Sequence, residues 1–147
     1  MKKTRKKDAA RHHYVFHPFH LAESMNTEDE TIVALLHDTI EDTDLTLNDL
    51  KKEGFSDTVI KYISILTNDK TEDYFGYIKG ISTNKIATKV KIADLKHNSD
   101  LSRLDYITEY DKERNKKYIL CLKYLEDIYN QKYKDQEPDN KKKDTKE

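Results

Sequence analysis

An all-helical fold is predicted by three features of this sequence. Only three glycines and two prolines occur in 147 residues, too few for the tight turns of hairpin-rich sheets. Apolar residues recur at intervals of three and four, the period of a helix with one buried face. Ser, Thr or Asn stands ahead of several of these runs, where a helix start needs a side-chain oxygen to receive free backbone N–H groups. The length fits about one domain. Hydrophobic residues make up 35% of the chain and charged residues 37%, so the core is modest and the surface heavily charged. The 27 basic residues nearly cancel the 28 acidic ones, which is not the signature of a wholly disordered chain.

The stretch Lys2 to His13 reads as a short basic helix. Pro18 suits the first turn of the next, which carries Phe19, Leu21, Ala22 and Met25. Asn26 or Thr27 can cap a following helix whose first turn holds Asp29 and Glu30, on the side favoured by the macrodipole. Ile32, Val33, Leu35, Leu36 and Ile40 crowd most of its circumference, which marks it as central and buried. Thr46 caps a short helix through Leu47 and Leu50 that Gly54 stops. Ser56 opens another, with Val59, Ile60, Ile63 and Leu66 at helical spacing. Thr71 starts a segment bearing Tyr74, Phe75, Ile78 and Ile81, in which Gly76 and Gly80 weaken the helix but allow a close neighbour. Residues 84–104 place Ile86, Val90, Ala93, Leu95 and Leu104 in a further helix. The last runs from about Asp111 to Tyr133, with Tyr118, Ile119, Leu122, Leu125 and Ile128 inward. The helical domain thus spans residues 1–133. Residues 134–147, five Lys and five acids with almost nothing apolar, are expected to form a disordered charged tail.

No apolar run approaches the roughly 20 residues that span a membrane, and MKKTRKK has no apolar stretch behind it to make a secretory signal. A soluble cytoplasmic protein is the expectation. A single cysteine, Cys121, excludes an internal disulfide or a Cys-rich zinc site. It falls in the apolar stripe of the last helix and is expected to be inert.

Charge is unevenly laid along the chain. Residues 1–13 carry six Lys or Arg and one acid, and residues 26–50 carry eight acids and no Lys or Arg. Such an acidic block either faces water or surrounds a cation. Its centre reads ALLHDTIED, residues 34–42. Glu41 and Asp42 follow His37 and Asp38 at i+4, so a continuous helix would gather all four at its C-terminal end. Three carboxylates there face the negative pole of the macrodipole, a cost that a divalent cation would offset. Histidine nitrogen with carboxylate oxygen suits manganese, iron, zinc or magnesium. A lone His-Asp dipeptide is more often a buried histidine satisfied by its neighbour than a metal ligand pair. Three further features favour the cation: His17 in YVFHP stands at a helix start, Asp94 and Asn98 lie at i,i+4 in KIADLKHNSDLSRL, and both His37 and Asp94 interrupt apolar runs.

The order HP, LLHD-x-x-ED, VKIADLKHN, from about Tyr14 to Tyr133, resembles the HD-domain metal-dependent phosphohydrolases. More narrowly, it is similar to the (p)ppGpp hydrolase domain of RelA/SpoT-type proteins and to small stand-alone HD proteins. The resemblance implies an HD-domain helical bundle around a single divalent metal site, usually Mn²⁺. It implies His17, His37, Asp38 and Asp94 as metal ligands, Glu41 and Asp42 as the acidic pair that positions and activates water, and Asn98 on the nucleotide side of the pocket. The implied reaction is hydrolysis of guanosine 3′,5′-bis(diphosphate) to GDP and pyrophosphate. The chain departs from the family pattern before Tyr14: KKDAARHHYVFHP meets the motif directly, where relatives carry a Gly-containing basic loop that helps hold base and sugar. It is also too short for the synthetase domain of the bifunctional proteins.

Lys91 and Arg103 can reach a phosphate from the segment bearing Asp94. His20, at i+3 from His17, is the less favoured ligand because His17 adjoins Pro18 as the motif does. His97, beside Asn98, fits either support of the metal site or plain packing. The loop Thr67–Lys70 is a further candidate for the pocket wall. The partner expected is a small-molecule nucleotide, with no membrane and, given the balanced charge, no nucleic acid as the main ligand; a homodimer is compatible with the sequence. Two alternatives stand beside alarmone hydrolysis: an HD hydrolase of another nucleotide mono- or diphosphate, and a catalytically silent metal-binding module that engages a partner through its basic N-terminus or Lys-rich tail.

Overall fold

The computed structural model describes residues 17–70 and 73–136. Every regular element among the described residues is helical. In chain order these are α1 (His17–Glu23), α2 (Glu28–Leu36), α3 (Thr39–Asp42), α4 (Leu47–Lys52), α5 (Asp57–Leu66), α6 (Tyr74–Ile81), α7 (Lys85–Asn98) and α8 (Glu109–Ile128). A 3-10 turn at Leu101–Arg103 links α7 to α8, and α8 runs on through a π-helical turn at Tyr129–Tyr133 and a 3-10 turn at Lys134–Gln136. No helix among the described residues is long and apolar enough to cross a membrane.

The starts lie where side-chain oxygens are available. Thr27 receives the Glu30 N–H at the head of α2. Thr46 and Asp49 exchange bonds at the head of α4, and Thr108 and Asp111 do so at the head of α8. Ser56, Asp73 and Asn84 cap α5, α6 and α7. Each satisfies N–H groups that have no partner inside the helix, an effect of about 1 kcal/mol. Gly54 follows α4 at φ 99°, a left-handed conformation that glycine adopts without a Cβ clash.

The core lies where α2, α5 and α7 meet, with α1 and α8 packed against it. Leu21, Val33, Ala34, Ile63, Ile78, Ile81, Ala87, Val90 and Leu125 are completely buried there. Glu30 is buried too, and is satisfied: its Oε1 accepts the Asn26 N–H at 2.8 Å and meets the Lys89 ammonium at 2.9 Å.

Several expectations are corrected. The helix expected to run through ALLHDTIED stops at Leu36, and Asp38 takes φ −99°, ψ 0°, the bridge region between helix and strand. The local cause is the His37 ring, whose Nδ1–H donates to the Ala34 carbonyl at 2.7 Å; an unbroken helix would offer that carbonyl to the Asp38 amide. The helix expected to reach Leu104 ends at Asn98, where the Asp100 side chain caps the 3-10 turn instead. Ile119, expected inward, points outward and is 49% exposed. The inward stripe of α8 runs through Tyr118, Cys121, Leu122 and Leu125, and Ile119 sits about 100° away from it. A Cβ at Gly80 would meet open space, so no neighbour requires that glycine. Of the expected tail, Lys134–Gln136 form an ordered turn behind Tyr133, whose hydroxyl donates to the Ser82 carbonyl at 2.9 Å. The rest of the tail, and the expected basic helix at residues 2–13, lie outside the described residues.

Candidate metal centre

Three helix segments deliver one polar group each to the same buried point. His17 opens α1, with Pro18 holding the first turn. His37 occupies the break between α2 and α3, and Asp94 lies on the inner face of α7. They are 1%, 3% and 4% exposed. Their ligand atoms, one from each residue, all fall within 4.8 Å of one another. His17 Nε2 is 2.6 Å from Asp94 Oδ1, and His37 Nε2 is 3.4 Å from the same oxygen. His17, His37 and Asp94 therefore form a group able to hold a metal ion.

Whether the residues suit an ion is tested by His37. A carbonyl oxygen can only accept, so the bond to Ala34 places a proton on Nδ1. In the neutral ring Nε2 is then a bare lone pair. It is buried, makes no hydrogen bond among the described residues, and lies 3.2 Å from Asp38 Oδ2 as well as 3.4 Å from Asp94 Oδ1. A lone pair turned toward two carboxylates is repulsive unless a cation sits between them. Separations of about 3.0–3.4 Å are also those between neighbouring ligands of an ion with bonds near 2.1 Å. A ligating histidine tied by its other N–H to a backbone carbonyl is the usual support of such a site. Without an ion, a proton is the substitute. Burial opposes the charged ring, but the Asp38 and Asp94 carboxylates outweigh it and raise His37 from 6.5 to about 10.

Asp38, the fourth expected ligand, stands at the rim. Its carboxylate is close to His37 Nε2 but is 32% exposed and lies outside the three-residue group.

Asp94 is the hub. Its Oδ1 also accepts the Asn98 amide N–H at 3.1 Å, and its Oδ2 meets the Lys91 ammonium at 3.0 Å. Burial would raise this carboxyl, but Lys91 first, then the His17 and His37 rings, hold it well below the usual range. Lys91 is buried in turn; burial opposes its charge, and the Asp94 carboxylate restores it and more. Its ammonium lies over the rings of Tyr77 at 5.2 Å and Tyr74 at 5.9 Å. Of these two tyrosines, Tyr74 reads from the sequence only as part of an apolar run and Tyr77 is not singled out there; both flank Lys91. Asn98 and Lys91 both act on Asp94 here. Arg103 is anchored through its Nε–H to the His97 carbonyl at 3.1 Å.

Glu41 and Asp42 sit on α3, not at the end of a continuous buried helix. Glu41 is half-buried, and its Oε2 accepts the Asn68 N–H at 2.9 Å. Burial raises its pKa, opposed by that N–H, with Asp38 adding to the rise. The Thr67–Lys70 loop thus contacts Glu41 through its backbone: Asn68 Oδ1 accepts the Lys70 N–H at 2.9 Å and closes a turn in which Lys70 adopts φ 69°. Asp42 is half-buried and its N–H donates to the Asp38 carbonyl at 2.9 Å.

His20 does not join the group. It lies against His97, ring centroids 4.2 Å apart. His97 also meets His17, Nδ1 to Nδ1, at 2.5 Å. Its pKa falls to about 4, through burial first and then the neighbouring Arg103, His17 and His20. No protein-family model matches this chain, and no curated protein matches it.

Proposed function

We propose that this protein is a metal-dependent nucleotide phosphohydrolase of the HD type, with guanosine 3′,5′-bis(diphosphate) as the leading substrate and Mn²⁺ as the resident ion. The observation that carries the reading is the buried, carbonyl-tethered His37, whose free nitrogen meets the Asp94 carboxylate beside His17. His17, His37 and Asp94 would hold the ion, and Asp38 would complete the set from the rim. When bound, the ion supplies positive charge that acidifies a water and polarises a phosphate oxygen.

The surrounding residues are suited to the remaining tasks. Glu41, whose pKa burial raises and which feels the Asp38 charge, would accept a proton from the attacking water. The Asn68 N–H keeps one of its oxygens fixed. Asp42 would hold that water from the same short helix. Arg103, tied down by Nε, keeps its terminal N–H groups for a phosphate. Lys91 is a second phosphate cation once an ion shares the charge of Asp94. Asn98 fixes the Asp94 oxygen that faces the two histidines. Water would add to the phosphorus of the 3′-diphosphate as its bond to the ribose 3′-oxygen breaks, leaving GDP and pyrophosphate.

The test is a panel of nucleotides, ppGpp included, incubated with the Mn²⁺-loaded chain and read for both pyrophosphate and orthophosphate. Pyrophosphate from ppGpp, lost in Asp38→Ala and Asp94→Ala, is the expected result. Orthophosphate from mononucleotides would reassign the substrate within the same chemistry. Tight ion binding with no turnover on any nucleotide would refute the enzyme and leave an interaction module.

A further inference from the structure

We propose that His97 is a positioning residue of the metal centre, setting the ring orientation and tautomer of His17 through a nitrogen-to-nitrogen hydrogen bond. This rests on the metal centre of the preceding reading and not on its reaction.

The geometry is specific. The His17 and His97 rings are nearly parallel, 13° apart, with centroids separated by 4.7 Å. Stacked rings would hold their like nitrogens apart; here the two Nδ1 atoms are 2.5 Å from each other. Adding one ring radius at each end of that contact accounts for the whole centroid separation. The two nitrogens therefore lie on the line joining the rings, and the rings are coplanar, edge to edge. That is the arrangement of an in-plane N–H···N bond, in which one nitrogen donates and the other accepts.

One helix supplies partners to both edges of His17. Asp94 and His97 stand three residues apart on α7; Asp94 takes Nε2 and His97 takes Nδ1. His97 is itself braced, by the face of His20 at 4.2 Å and by Arg103 on its carbonyl. His37 has a backbone carbonyl behind its ring, which can only accept. His17 has an imidazole there, which can do either. With no ion present, the His97 Nδ1–H donates to His17 Nδ1, and His17 Nε2–H donates to Asp94. For a neutral His17 to offer its Nε2 lone pair, the bridging proton must belong to His17 Nδ1. His17 Nε2–H then gives its proton to water, and His97 takes one from water at Nε2. Each ring carries one proton before and after.

Three proteins decide the matter: wild type, His97→Phe, which keeps a ring and loses the acceptor, and His97→Asn, whose amide oxygen restores an acceptor near the place of Nδ1. Mn²⁺ affinity is measured by titration calorimetry, and folding by thermal melting in chelator. His97→Phe is expected to bind about 10–100-fold more weakly with melting little changed, and His97→Asn to recover most of that loss. Independently, the metal-free wild type should show nitrogen–nitrogen scalar coupling between His17 and His97 in ¹⁵N NMR. If His97→Phe does not fold, the coupling carries the decision. Absence of the coupling, or equal Mn²⁺ affinity in wild type and His97→Phe, overturns the role of His97 alone. A wild type that takes up no divalent ion overturns the metal centre as well.

Discussion

Changing Asp94 to Asn alters one atom and one charge, and its cost follows from what faces it. The His17 ring and the Asn98 amide can still donate to the remaining oxygen. The Lys91 ammonium cannot be served in the same way. It lies 3.0 Å from Asp94 Oδ2 on a side chain only 11% exposed. Leaving one member of a buried ion pair alone costs about 3–5 kcal/mol. The tyrosine faces at 5.2 and 5.9 Å return part of that, about 1–2 kcal/mol for a desolvated cation. The net expectation is a loss of about 1–4 kcal/mol. Adding Lys91→Met removes the orphaned charge while keeping an unbranched apolar stem, so the double variant should return to within about 1 kcal/mol of wild type. Urea unfolding at pH 7 in chelator measures both. A loss below about 1 kcal/mol in Asp94→Asn, or no recovery in the double variant, would refute the assignment of Asp94 as the counter-charge of Lys91. Repeating the series with a divalent ion separates structure from binding. The wild type should gain about 2.7 kcal/mol at an ion concentration one hundred times Kd, and neither variant should gain it.

Glu41→Gln keeps an acceptor for the Asn68 N–H but removes the proposed base. Turnover should fall about 10²–10⁴-fold with Mn²⁺ affinity nearly unchanged; an equal fall in affinity would assign Glu41 to the ion instead. His37 sets opposite pH trends with and without metal. Its folded pKa, about 10, lies above its ordinary 6.5, so its stabilising contribution is full below about pH 6.5 and is lost as pH rises through 10. The metal-free protein should therefore weaken in denaturant melts between pH 7 and 10. Ion affinity should rise over the same range, because binding must displace that proton, and a flat affinity profile would contradict it. Thr108→Ala breaks the capping box of α8 and should cost about 1 kcal/mol with no change in ion uptake, as both measurements on one sample would show.

The helices and the groups that meet at the centre differ in how far local chemistry reveals them. Thr46, Ser56 and the stripe Val59–Ile63–Leu66 act within one or two turns of chain, so their roles are visible in sequence order. His37 and Asp94 are visible for a related reason: each is a polar group set in an apolar run, where burial without a partner is costly; His17 is visible from its place beside Pro18 at a helix start. The resemblance to HD phosphohydrolases named the same three, together with Asp38. The break at His37–Asp38 was not visible, since it depends on whether a ring turns back onto its own carbonyl. Nor was the outward turn of Ile119, which depends on the direction from which neighbouring helices approach.

By itself the sequence determined the all-helical class, the caps at Thr27, Thr46 and Ser56 and a set of candidate ion ligands of which three meet, because these follow from residue type and short-range spacing. Tertiary structure alone decided what those groups touch: His97 against His17 across 80 positions, the Asn68 amide on Glu41 across 27, and Lys91 turned inward to Asp94 beneath two tyrosines. Such contacts are set by how helices from distant parts of the chain pack together, and no periodicity along the chain encodes that angle or depth.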